Sequence, residues 1–246
     1  MSGHSHFSSI KHKKAITDAK RGKIFSKIAR EISIAVKEKG GNPEANSSLR
    51  LVMEKARSFN MPKDNIERAI KKGAGELAGE KLESVFFEAY GPGGIAIIIE
   101  GITDNKNRTL GEIKQVLSQN NGKLAGEGAV KWMFERKGYI TINPKAQELI
   151  TKSEEELEIL AIDAGAEDIY WRDNVLDIYT KPDEIEKVKT ILEEKGIQIE
   201  SIALDWMAKE EIEADQKTKD ACQKLFEDLD ENDAVQEVYC NIKFKD

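Results

Sequence analysis

SEEELEILAIDAGAEDIYWRDNVLDIYTKPDEIEKVKTILEEKGI, Ser153 to Ile197, carries the most regular secondary-structure signal in the chain. Ser153 and Glu156 have the spacing of a capping box, and Gly165 and Gly196 follow the two helical segments where a left-handed cap is wanted. Together with its flanks this stretch reads as strand 138–143, helix 153–164, strand 168–171, strand 175–180, helix 183–195 and strand 197–203. The order βαββαβ is that of the ferredoxin-like split βαβ sandwich.

Upstream, VFFEAY (85–90) and IAIIIE (95–100) are joined by Gly91-Pro92-Gly93-Gly94, which reads as a hairpin. Thr103 or Asp104 can cap the next helix, 108–119, with Leu110, Ile113, Val116 and Leu117 inward. The Gly-rich stretch 122–128 leads to an expected strand at 130–134, where Trp132 and Met133 read as core beside Phe134. Downstream, a helix near 215–229 and a strand at 235–240 have no local partners. They complete a second α/β domain if the βαββαβ segment is an insertion.

The first third is different. Ile24, Phe25, Ile28, Ile32, Ala35 and Val36 recur at helical spacing until Gly40-Gly41. Asn42 and Pro43 open a second helix with Leu49, Val52, Met53, Ala56 and Phe59 on one face. Pro62 starts a third, carrying Ile66, Ala69 and Ile70 and closed by Gly73. The expectation is an α+β protein with an N-terminal three-helix bundle and two α/β domains, the last ferredoxin-like and inserted in the middle one. Its domains are a basic helical domain, 1–75, with a tail expected to be flexible; a middle α/β domain, 76–136 plus 206–246; and the insert, 137–205.

Charge follows the same division. Residues 1–75 hold 17 Lys and Arg against 7 Asp and Glu, net +10, while residues 76–246 hold 21 against 38, net −17; the two give the chain's −7. The pI of 5.3 therefore averages over a region suited to a polyanion and a region repelled by one. The candidate contacts are His4, His6, Phe7, Lys11, His12, Lys13, Lys14, Lys20, Arg21, Lys23, Lys27 and Arg30. A second line around the third helix comprises Lys63, Asn65, Arg68, Lys71 and Lys72. The competing interpretation of both groups is a solvated helix face. Each phosphate neutralised releases counterions, so nucleic-acid binding here should be strongly salt-dependent.

Cys222 and Cys240, the only cysteines, lack metal-ligand spacing and suit a reducing compartment. The charged N-terminus has no signal-peptide apolar run, and 95–99 is too short to span a bilayer, so a cytoplasmic protein with no membrane partner is expected.

Several strings resemble the YebC/PmpR family: GHSHFSSIKHKKAITDAKRGKIFSKIAREI (3–32), NMPKDNIERAIKKG (60–73), EAYGPGGIAIIIE (88–100), TDNKNRT (103–109) and VKWMFERKG (130–138). AGAEDI (164–169) and LFEDLDENDAVQEVYCN (225–241) extend the resemblance over nearly the whole chain. It implies a helical bundle followed by two α/β domains. It also implies one of two functions, since bacterial members were named as DNA-binding transcriptional regulators, whereas mitochondrial relatives activate translation and some bacterial members act on ribosomes stalled at proline-rich sequences. Where the family usually reads Gly-His-Ser-Lys-Trp, this chain has Gly3-His4-Ser5-His6-Phe7. A fixed cation and a large ring give way to a titrating imidazole and a smaller ring.

The basic helices offer mainly Lys, which positions on phosphate, and few of the Asn, Gln or Arg residues that read base edges from a recognition helix. A basic tail with His and Phe suits an irregular RNA surface. The reading is a ribosome-associated factor contacting rRNA or tRNA, acting by position and without covalent chemistry, with duplex DNA as the alternative partner. No enzyme signature is evident: the histidines all lie in the tail, and neither a GxxxxGK[ST] loop nor a GxGxxG fingerprint follows a strand. No cofactor, metal or small-molecule substrate is expected, and the chain shows no obvious dimer helix, so a monomer is expected. The TDNKNRT cluster could hold a ligand, but helix capping explains its Thr and Asp.

Overall fold

The computed structural model describes residues 18–79, 81–144, 152–172 and 174–243. In chain order these contain α1 (Asp18–Lys39), α2 (Ser47–Ser58), α3 (Lys63–Gly73), β1 (Glu83–Tyr90), β2 (Ala96–Thr103), α4 (Lys106–Gln119), β3 (Lys123–Leu124) and β4 (Phe134–Ile142). They continue with α5 (Glu154–Ala164), β5 (Asp168–Arg172), β6 (Val175–Thr180), α6 (Ile185–Glu194), β7 (Ser201–Ala208), α7 (Gln216–Asp230) and β8 (Val235–Cys240). The protein is thus mixed α+β, with two four-stranded sheets ordered β3-β1-β2-β8 and β5-β6-β4-β7. It divides into two compact units, one built on Arg136–Trp206, with Arg57–Phe59 grouped to it, and the other on the chain before and after.

In the larger unit, Ile28, Ile32, Ala35 and Val36 of α1 pack in the core with Leu49 and Ala56 of α2 and Ile66 and Ala69 of α3. Gly40, at φ +86°, ends α1. The second helix opens at Ser47 rather than at Asn42-Pro43, because fully buried Asn46 organises the corner. Its Oδ1 accepts from Leu49 N at 3.0 Å, and its amide donates to Ala35 O and Gly40 O at 2.8 and 2.7 Å, capping α2 while satisfying the end of α1. Gly73 is the last residue of α3, as the sequence implies, and it also allows close approach: a Cβ there would sit 2.5 Å from Ser33 O. The Ser33 hydroxyl donates to Ala69 O at 2.9 Å at the same crossing.

The sheet of this unit pairs β1 antiparallel with β2 and β3, and β2 with β8, so the C-terminal strand joins strands laid down some 140 residues earlier. Alternation sends Val85, Phe87, Ala89, Ile97 and Ile99 to one face, where they bury against Ile113 and Leu117 of α4 and Leu225, Phe226 and Leu229 of α7. The β1–β2 hairpin turns through a 3-10 turn, Pro92–Gly94, with Gly93 and Gly94 left-handed. Neither Thr103 nor Asp104 is the cap of α4. Asn105 is, its side chain accepting from Arg108 N at 3.0 Å, while Thr103 Oγ1 accepts from Asn105 N and from the Thr109 hydroxyl.

The strand expected at 130–134 is a turn with a 3-10 segment at Lys131–Met133. Its amides are occupied by a carboxylate instead of a neighbouring strand. Glu88 Oε1 accepts from Gly128 N at 2.5 Å, and Oε2 accepts from Val130 N and Lys131 N at 2.7 Å each. Glu88 is buried, and burial alone would raise its pKa; the three amides reverse that and hold it below the ordinary glutamate value.

The smaller unit contains β4, α5, β5, β6, α6 and β7, a βαββαβ order with strand order second, third, first, fourth. β6 pairs antiparallel with both β4 and β5. Ser153 and Glu156 make the capping box, and Gly165 is left-handed at φ +109°. The last strand starts at Ser201, later than 197. Ile197 instead completes the end of α6: its N–H donates to Leu192 O at 3.0 Å after left-handed Gly196, and its side chain is buried.

Candidate nucleic-acid interface

The structure sorts the basic candidates into groups with different fates. His4, His6, Phe7, Lys11, His12, Lys13 and Lys14 lie outside the described residues, as does the side chain of Lys20. Arg21 is exposed on the first turns of α1.

One turn further along α1, the cations turn inward onto the end of α7. Lys27 is buried; its Nζ meets Asp230 Oδ1 at 2.7 Å and donates to Asp230 O at 3.0 Å. Arg30 donates to Asp233 O at 2.5 Å, and Lys23 pairs with Glu231 at 3.0 Å. The carbonyls at a helix C-terminus lack intrahelical partners and carry the negative end of the helix dipole, so a row of cations from a packed neighbour is well placed there. Lys27 therefore leaves the set of candidate nucleic-acid contacts, since a phosphate would have to displace a desolvated ion pair. Lys23 and Arg30 are engaged on the same acidic rim.

Lys55 of α2 strengthens this junction within the unit, bridging Glu31 of α1 at 2.9 Å and Glu237 of β8 at 3.0 Å. Burial alone would lower its pKa, but the two carboxylates outweigh it and hold the ammonium above the usual lysine range. Part of the +10 of the first third is thus spent on the −17 of the remainder.

The α3 group differs. Lys63, Asn65, Arg68, Lys71 and Lys72 are all exposed. Lys63 has a loose i,i+4 contact with Glu67 at 3.8 Å; among the described residues, Arg68, Lys71 and Lys72 are in no side-chain ion pair. Asn65, Arg68 and Lys72 follow i, i+3, i+7 spacing and share one face, alongside the buried stripe of Ile66 and Ala69. Lys71 and Lys72 occupy the last turn, where the helix dipole favours cations.

In the TDNKNRT cluster Thr103, Asn105 and Thr109 are committed to the turn described above, and Asp104 pairs with Arg108. Among the described residues no group of three or more His, Cys, Asp and Glu side chains could hold a metal ion. No helix of the described residues is long and apolar enough to cross a membrane.

Trp132 overturns its reading as core: it is 65% exposed. Its Nε1 donates to Ala129 O at 3.0 Å, and the neighbouring Lys131 ammonium lies 5.3 Å from the centroid of the Phe86 ring. Met133 is half-buried, and only Phe134 reaches the interior.

Residues 5–76 match the family model described as the TACO1/YebC protein N-terminal domain, and residues 82–242 match that of the TACO1/YebC second and third domain. The chain belongs to the TACO1/YebC family. A relative from Halothermothrix orenii is 47% identical over 247 residues, covering 100% of this chain and 96% of its own. One from Fervidobacterium nodosum is 48% identical over 246 residues, covering 100% and 95%. Both are named probable transcriptional regulatory proteins. The crystal structure of a conserved hypothetical protein from Aquifex aeolicus superposes with a TM-score of 0.88 at 46% identity, covering 98% of both chains. Within this TACO1/YebC chain, the paired cations of α1 and the exposed cations of α3 are separate features of one helical region.

Proposed function

We propose that this protein is a cytoplasmic nucleic-acid-binding regulatory factor that acts on the ribosome, its basic N-terminal region contacting rRNA or tRNA and relieving stalling or activating translation. The observation that carries this reading is the exposed face of α3, where Arg68, Lys71 and Lys72 are in no side-chain ion pair among the described residues, while residues 76–246 are acidic. Lys63 and Asn65 lie on the same helix; His4, His6, Phe7, Lys11, His12, Lys13, Lys14, Lys20 and Arg21 are the further proposed contacts in the sequence.

A net charge of −17 over residues 76–246 opposes laying the whole molecule along a duplex. An end-on approach, basic region first, avoids that conflict and leaves the acidic α/β part facing ribosomal proteins or solvent. The action would be positional: ordering one reacting end relative to another lowers a barrier without new covalent chemistry. The second reading, a transcriptional regulator on duplex DNA, is favoured by the names of the relatives.

Sedimentation of the purified protein with ribosomes across a salt series, with excess random duplex DNA as competitor, tests the proposal. Co-sedimentation that survives the competitor supports it. Loss of ribosome binding to the competitor would overturn the ribosomal reading in favour of the duplex.

A further inference from the structure

The turn at 126–133 is more elaborately held than a connection between two sheets requires. Buried Glu88 gathers three of its amides, so the backbone is fixed by charge-assisted hydrogen bonds. The carbonyl of Ala129 accepts from Trp132 Nε1 at 3.0 Å and from Tyr90 Oη at 3.3 Å. The indole is thus tied by its edge while staying 65% exposed. A large apolar ring left mostly in water buries little for the fold, while the hydrogen bonds to Ala129 O and Glu88 organise its edge and its loop for a partner.

Tyr90, which shares that carbonyl, lines an open cleft of about 450 Å³ together with Gly91, Gly93, Gly94, Asn121 and Lys123. The Lys123 ammonium lies 5.8 Å from the centroid of the Tyr90 ring. The turn therefore offers an aromatic face, and the cleft a glycine-walled notch with the exposed cation of Lys123 among its lining residues. Glu127 and Glu135 are exposed on the same stretch and offset Lys123 and Lys131, so net charge contributes little and the ring must supply most of the binding.

We propose that this turn and cleft seat a short unpaired stretch of single-stranded RNA, one base stacked on Trp132 and a backbone phosphate at Lys123. Stacking accepts any base and is combined with cations on the backbone in single-strand binding sites. The inference rests on the nucleic-acid reading above. It adds a contact point in the acidic α/β part, distant in sequence from the basic region, whose stacking share is insensitive to salt.

The test uses the full chain and an unstructured oligouridine of roughly 12 nucleotides, fluorescein-labelled for anisotropy and unlabelled for tryptophan emission. Wild type, W132A and W132F are compared; because Trp132 is exposed, neither variant perturbs the core. The expected result is quenching of wild-type tryptophan emission on binding, most of it absent in W132A. W132A should bind about tenfold or more weakly with an unchanged salt slope, and W132F should recover much of the affinity. If wild type binds but W132A binds equally tightly with the same quenching, the seat is wrong and the basic-region reading stands. If wild type shows no anisotropy change at any salt concentration, both fall.

Discussion

Helices α1 and α3 carry similar runs of Lys and Arg and pack against each other through Gly73 and Ser33, yet their cations have opposite fates. Lys23, Lys27 and Arg30 neutralise the acidic end of α7, whereas Arg68, Lys71 and Lys72 face solvent. The difference teaches that a local charge excess is a sum over two populations: charges that hold the basic region onto the α/β part of its own unit, and charges available to a polyanion. Only tertiary packing separates them, because the partners of α1 lie some 200 residues away.

The largest expected effect breaks the paired population. K27A leaves Asp230 without its ammonium in a desolvated site and should cost about 3 kcal/mol or more in urea unfolding, with little change in RNA affinity. If Lys27 is instead a phosphate contact, affinity will fall and stability will hold. Next is G73A, which forces a methyl against the Ser33 backbone at the α1–α3 crossing; a loss of about 2 kcal/mol by the same assay is expected. Together these two variants separate what holds α1 to α7 from what holds it to α3.

The exposed population is probed by R68E/K71E/K72E. Stability should stay within about 0.5 kcal/mol of wild type, while ribosome binding at moderate salt should fall by about tenfold or more. The smallest effect is K63A. Its contact with Glu67 is long and exposed, so a stability change below about 0.5 kcal/mol in the same unfolding assay is expected.

Local chemistry was legible where one residue type has one job. The Ser153 and Glu156 capping box, the left-handed Gly165 and the strand 175–180 are all where their spacing puts them. Legibility failed where neighbours competed: Thr103, Asp104 and Asn105 are all capping residues, and Thr103 is diverted to Asn105 N and Thr109. Gly73 ends α3 as a glycine stop signal implies, but its second role in the close crossing with α1 leaves no local trace. Trp132 was read as core from its apolar neighbours; the contrary signal was Glu88, an acidic residue between the apolar Val85–Phe87 and Ala89, which needed donors from elsewhere and took them from the turn. The burial of Lys27 had no signal at all in the sequence of α1.

The most direct test of the division between the two populations is the slope of log K against log salt for single-stranded RNA binding. Wild type, K23Q/R30Q and R68Q/K71Q/K72Q would be compared over one salt range. The account predicts an unchanged slope for the α1 variant and a slope smaller by about 2 for the α3 variant, from roughly 0.7 per phosphate contact removed. A slope that falls for the α1 variant and holds for the α3 variant would contradict it.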